Sequence, residues 1–204
     1  MKLFGTPRSR AVRCLWALEE LGEPYEFHVL DFKNGEHLSP WFLELNPNGK
    51  VPAFVDGDLT LFESAAICTY LGEKFPKLGF VPSARRERAL YDQWMFFIMS
   101  ELEQPLWSIG KHKFALPKEY RIKEMKTTAL YEWERALKVF AKGLANKSYL
   151  LGGEITMVDI VAGQTLQWAR TFDVPIEISE VNNYRKRLIA RPAFQAMVAK
   201  HIRQ

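Results

Sequence analysis

Two apolar runs, AFV and LTLF, face each other across Asp56-Gly57-Asp58. An Asp-Gly step between such runs signals a hairpin, because glycine accepts the positive φ that a tight β-turn demands. A hairpin requires an antiparallel pair of strands. Upstream the pattern asks for the opposite. KLF (2–4) and YEFHVL (25–30) read as short strands, the second with Tyr25, Phe27 and Val29 on one side. Between them Ala11, Cys14, Leu15, Leu18 and Leu21 recur at helical spacing, and Gly22 and Pro24 supply the stop. A strand-helix-strand unit needs a crossover, and therefore parallel strands. The chain must satisfy both demands in one sheet.

Two further helices complete this part. SPWFLEL opens at Ser39 with Pro40 at its first position, and ESAAICTYLGEKF stops near Pro76. The order β-α-β-α-β-β-α, a mixed sheet with helices packed on it, is a thioredoxin-like plan over residues 1–76. Residues 77–84 have the proline and glycine content of a linker. Beyond them strand signals nearly vanish, so residues 85–204 are expected to form an all-α domain. Tyr91, Met95, Ile98 and Leu102 mark one long amphipathic helix, and Ile122, Met125, Ala129, Trp133, Leu137 and Phe140 a second. Helices are also expected near 157–170, 179–189 and 193–202. ITMVDI carries a capping box, with Thr156 as N-cap, Asp159 at the third helical position and Ile155 and Ile160 as the staple. That motif is folding information rather than chemistry.

Bulk properties narrow the function classes. The 204 residues are 48% hydrophobic and 25% charged, with a net charge of +4, the balance of a globular protein. The densest basic stretches, Arg85-Arg86-Glu87-Arg88 and Tyr184-Arg185-Lys186-Arg187, fall in helical segments and read as solvated faces, so no nucleic-acid partner is expected. The two cysteines, Cys14 and Cys68, fit neither a disulfide framework nor a zinc motif. MKLF begins a strand without the apolar stretch of a secretory leader, and no run is long enough to span a membrane. A cytoplasmic location is expected, with no membrane partner.

Candidate chemistry gathers in the first part. Pro52 heads a strand although proline has no N–H to give a ladder. It is either a strand-entry proline or, if the Val51–Pro52 bond is cis, a device that frees the Val51 backbone for an extended peptide. Glu63 and Ser64 stand where a strand hands over to a helix. Ser64 either caps that helix or, with the helix N-terminus, holds a carboxylate. Glu63 beside it could neutralise an ammonium, and the pair would suit an α-amino acid head group. Ser9 either caps the first helix or donates its hydroxyl to a bound thiolate; Arg8, Arg10 and Arg13 add positive potential there. His37 and Lys50 are either surface residues or carboxylate ligands. His28, His112 and His201 form no cluster with carboxylates, so no metal is expected, and Gly152-Gly153 lacks the spacing of a phosphate loop.

Together these pieces resemble the cytosolic glutathione S-transferase family, in its serine-type (theta- and phi-like) bacterial form. NPNGKVPAFVDGDLTLFESAAICTYL (46–71) is similar to the family's glutathione-site signature, TPRSRAVRCLWALEELG (6–22) to the first-helix region of the serine-type classes, and ITMVDI to the capping box of the helical domain. The resemblance covers essentially the whole chain. It implies that Val51, beside cis-Pro52, pairs with the cysteinyl part of glutathione. Glu63 and Ser64 would hold the γ-glutamyl head, and His37 and Lys50 the glycine carboxylate. Ser9 falls where serine-type members keep the thiolate-stabilising hydroxyl, with Thr6 as a rival. Arg10 occupies the place of the cysteine used by cysteine-type bacterial members, which disfavours mixed-disulfide chemistry.

The resemblance further implies a hydrophobic electrophile held between the domains, with Trp94, Phe97, Met99 and Trp107 as candidate wall or core residues, and a two-fold homodimer. The expected function is a glutathione transferase of detoxification type, with glutathione as co-substrate and peroxide reduction as a related activity. The alternative is a non-catalytic interaction module on the same fold. An intact Ser9, Lys50, Pro52, Glu63 and Ser64 set speaks for the enzyme.

Overall fold

The computed structural model describes residues 1–202. Its first elements follow the expected order: β1 (Lys2–Gly5), α1 (Ala11–Leu21), β2 (Glu26–Val29), α2 (Pro40–Leu45), β3 (Ala53–Asp56), β4 (Leu59–Phe62) and α3 (Ser64–Lys74). The sheet runs β2-β1-β3-β4. β1 lies parallel to β2, with Leu3 opposite Phe27, and antiparallel to β3, with Leu3 opposite Phe54. β3 and β4 form the hairpin through Gly57, whose φ is 63°. Val29, on the strand side of Phe27, is 54% exposed. It ends the edge strand, where covering by neighbours is least.

α1 stops at Gly22, which turns left-handed (φ 69°) and returns its N–H to the Leu18 carbonyl, the glycine stop read from sequence. Ser39 and Pro40 open α2 as expected, although the Ser39 hydroxyl donates back to the Glu36 carbonyl instead of capping. At the start of α3 the reading shifts by one residue. Glu63 is the N-cap, at φ 70° and ψ 109°, and Ser64 is the first residue of the helix.

The remaining helices are α4 (Arg85–Phe97), α5 (Glu103–Gly110), α6 (Met125–Leu144), α7 (Met157–Thr171), α8 (Ser179–Ile189) and α9 (Pro192–His201). The long helix expected around Tyr91 to Leu102 is α4 and α5 joined by a π-helical stretch, Ile98–Leu102. Pro105 accounts for the local widening: it lacks the N–H that Glu101 would accept, and its ring crowds that carbonyl. The capping box of α7 is present, with both Thr156 donors on Asp159 Oδ2, at 2.8 and 2.9 Å. Asp159 also accepts from the Leu150 N–H (2.9 Å) and the Tyr184 hydroxyl (2.6 Å) on Oδ1. Burial pushes its pKa up against the pull of these donors. No helix among the described residues is long and apolar enough to cross a membrane.

The chain divides into two units, Pro82–Ile189 and a unit made of Met1–Val81 with the segment from Ala190 onward. The second grouping departs from the expectation that residues 85–204 form one domain. α9 belongs with the sheet. Its Phe194 meets Trp16 edge-on, ring centroids 4.8 Å apart, and Arg191 forks onto the Glu20 carboxylate at 2.6 and 2.7 Å. Lys200 reaches Glu19 (3.0 Å), while the Tyr25 hydroxyl donates to Glu19 and lies 2.7 Å from His201 Nε2. α1 is thereby buried on nearly every side, Ala11 through Leu18 included. Inside the expected linker, Phe80 and Val81 are buried and end the first unit.

Candidate functional site

Strand direction collects the candidates at one end of the sheet. Ala53 pairs with Phe4 on one side and Phe62 on the other. The residues just beyond these pairs therefore share that end: Val51–Pro52 before β3, Glu63–Ser64 after β4, and the loop of Thr6 to Ser9 after β1. The Val51–Pro52 peptide bond is cis, and the ladder begins at Ala53, so the Val51 backbone takes no part in it.

Ser9 acts as a cap, one position earlier than a regular N-cap. Its Oγ accepts the Ala11 N–H (3.1 Å) and donates to the Thr6 carbonyl (2.8 Å). A hydroxyl that accepts from an amide becomes a stronger donor on its other side. Across the sheet end, Ser64 is 1% exposed and Arg13 is fully buried. Arg13 Nη1 donates to Ser64 Oγ at 3.1 Å. That bond ties the first turn of α1 to the first residue of α3, so two helix N-termini, each carrying partial positive charge, come together around a guanidinium. Glu63, exposed and at positive φ, is strained for a residue with a side chain, a feature that clusters at ligand clamps.

His37 and Lys50 are linked through their backbone. Gly49, at φ 59°, lies so close to His37 that an added Cβ would stand 3.2 Å from the His37 carbonyl and 2.8 Å from the Leu38 side chain. Buried Asn46 fixes the turn, donating to the Lys50 carbonyl (2.6 Å) and accepting the Asn48 N–H (3.1 Å). The His37 ring stacks on Phe32, centroids 4.0 Å apart and 4° from parallel. Its Nδ1 is buried without a partner among the described residues.

Both cysteines are free and buried. Burial first, then a hydrogen bond and charge coupling with Cys68, pushes the Cys14 thiol well up, the opposite of an activated nucleophile. Among the described residues no group of His, Cys, Asp and Glu could hold a metal ion.

The four wall candidates have different neighbours. Trp94 presses on the α6 backbone, where a Cβ on Gly143 would lie 2.1 Å from its ring, and sits edge-on to Phe97 and Phe140. Trp94, half-buried, thus packs against α6 and two aromatic rings. Phe97 borders a largely polar groove with Ser100, Glu101, Gln104 and Arg135, and the Met99 carbonyl lies 3.3 Å from Gln104 Nε2. Trp107 belongs to a different set, the row Trp107, Trp168, Phe172 and Phe114, with successive centroids 6.5, 5.4 and 6.1 Å apart. The i,i+4 spacing of Trp168 and Phe172 was the sequence signal for that row. The stretch at 184–187 is not the solvated face expected: Tyr184 and Arg185 are buried, Arg185 donating to Gln167 (2.7 Å), and Arg187 donates to the Ser148 carbonyl (2.9 Å).

A thioredoxin-like unit with a four-stranded mixed sheet, joined by the chain to a helical unit, is the architecture of the glutathione transferases. Residues 1–73 match the model of the glutathione S-transferase N-terminal domain, and residues 98–192 that of the C-terminal domain. The chain is 31% identical to glutathione S-transferase 1 of Triticum aestivum, over 99% of this chain and 94% of that one. Among solved structures it is similar to the glutathione transferase URE2P6 of Phanerochaete chrysosporium in complex with oxidised glutathione (27% identity, TM-score 0.88, 98% and 95% covered). It is also similar to the theta class enzyme of Xanthomonas axonopodis pv. citri with glutathione bound (32% identity, TM-score 0.82, 97% and 96% covered). The chain belongs to the glutathione S-transferase family.

Proposed function

We propose that this protein is a glutathione transferase that binds glutathione along the sheet end and stabilises its thiolate for attack on an electrophilic carbon. The observation that carries the reading is the Arg13–Ser64 bond, which joins two helix N-termini into a site for anions. In this reading the γ-glutamyl carboxylate takes the Ser64 hydroxyl and the N–H groups of α3, and Glu63 meets the ammonium. The cysteinyl backbone pairs with Val51 beside Pro52. His37 Nε2 and Lys50 take the glycine carboxylate.

The thiol then comes to Ser9. The Ser9 hydroxyl now donates to the neutral Thr6 carbonyl; a thiolate is a stronger acceptor and takes over that hydrogen bond once the thiol proton has left to water. Together with the N-terminal field of α1 this lowers the thiol pKa. The sulfur lone pair forms a bond to the electrophilic carbon; either the leaving group departs with the electrons of its broken bond, or the π pair of an activated double bond shifts onto the activating group. The row Trp107, Trp168, Phe172 and Phe114 supports an apolar second substrate better than Trp94 does. The exposed Leu90, Phe96, Tyr131 and Val139 of the helical unit support a homodimer, and the reading includes a cytoplasmic location.

Retention of the folded protein on immobilised glutathione, with release by free glutathione, is the expected result. Passage straight through the column would overturn the reading.

A further inference from the structure

We infer that Arg13 is a positioning residue that sets the head-group anchor through the Ser64 hydroxyl. The inference rests on the glutathione reading above. A hydroxyl has one proton and two lone pairs, and its rotor is otherwise free to turn. Here a fully buried guanidinium donates to Ser64 Oγ at 3.1 Å. Occupying one lone pair with a cationic donor turns the O–H away from Arg13 and polarises it. Among the described residues Ser64 donates no hydrogen bond of its own, so its proton is unspent. It stands at the first position of an eleven-residue helix, beside amide N–H groups that also lack helical acceptors.

The sheet end thus holds a prepared chain: guanidinium, hydroxyl, then an oxyanion that has yet to arrive. Arg13 needs no contact with the ligand. Its effect is to keep one proton aimed before binding, so that little rotor entropy is lost when the carboxylate docks. The surroundings hold this aim. Cys14, next to Arg13 in α1, places its Sγ 3.9 Å from the Ser64 carbonyl, so hydroxyl and main chain of Ser64 are gripped by consecutive residues. Lysine would keep the charge but lose the planar fork that fixes direction.

The test compares two ligands by calorimetry: glutathione, and the same peptide with γ-aminobutyryl replacing γ-glutamyl, which lacks the head-group carboxylate. Arg13→Met is expected to weaken glutathione about 10- to 100-fold, the worth of a hydrogen bond to a charged group. It should leave the analogue within about twofold of the wild type. In a Ser64→Ala background the same change should add less than about twofold, since the two residues act as one. Arg13→Lys should fall between, and it carries the same comparison if Arg13→Met does not fold. Equal losses for both ligands, or losses additive with Ser64→Ala, would overturn the inference while leaving the glutathione reading intact. A wild type that binds no glutathione would overturn both.

Discussion

Two buried polar constellations, one in each unit, differ in whether they are closed. Around Asp159 both carboxylate oxygens are filled by groups of the chain itself: the backbone and hydroxyl of Thr156, the Leu150 amide and the Tyr184 hydroxyl. Around the Ser64 hydroxyl the described residues supply a cationic donor and no acceptor. A closed network has nothing left to offer a ligand, and its whole effect is on the fold. An open one gives little to the fold and keeps its hydrogen-bonding capacity for something that arrives later. The contrast separates residues that would look alike in a list of buried polar groups.

Mutation breaks the contrast at its strongest point first. Asp159→Ala strands four donors in the helical unit and should cost about 3–5 kcal/mol of stability, read from denaturant unfolding; a loss under about 1 kcal/mol would mean the network is not closed. Ser64→Ala should do the reverse. Glutathione affinity falls by about 1–3 kcal/mol, while the unfolding midpoint drops by less than in Asp159→Ala, because one buried donor rather than four loses its acceptor. A stability loss matching that of Asp159→Ala would erase the distinction.

Ser9→Ala sharpens it on the catalytic side. The bound thiol's pKa, followed by thiolate absorbance, should rise by roughly 1–2, with glutathione affinity nearly unchanged. A flat comparison would turn attention to Thr6.

The smallest effect concerns pH. Burial, then the charge of Lys200, holds His201 below its ordinary value, against the opposite pull of Glu19. The unfolded chain therefore binds the proton more readily than the folded one. Stability is full above about pH 6.5 and declines as pH falls through that value toward the depressed one. The midpoint of thermal unfolding between pH 8 and pH 5 should follow this course, and His201→Gln should flatten it. An identical pH profile in that variant would remove His201 from the account.

What could be read in the sequence was local. The Gly22 stop, the turn at Gly57 and the box at Thr156 and Asp159 are each written within a few residues, and each stands where expected. Arg13 was visible as charge but not as a buried group, because its partner lies 51 residues away, and an arginine in a first helical turn ordinarily faces water. Glu63 shows the same limit. Nothing in the letters Glu-Ser indicates which residue leaves the strand and which begins the helix; the positive φ at Glu63 is imposed by the hairpin on one side and α3 on the other. Trp94 and Trp107 share a helical run but meet different neighbours. Periodicity reports that a face is apolar and is silent on what covers it.

The placement of α9 reaches into biosynthesis. A ribosome delivers β1 long before Phe194, yet Trp16 and Glu20 are completed by Phe194 and Arg191. The nascent sheet unit must therefore emerge with one side of α1 uncovered and stay so while every helix of the other unit is made. Domains of most chains can finish in the order of synthesis. Here the sheet unit is sealed only after the helices of the other unit are made, and a chain cut before α9 would lose that seal far from the break, on the same α1 that carries Arg13.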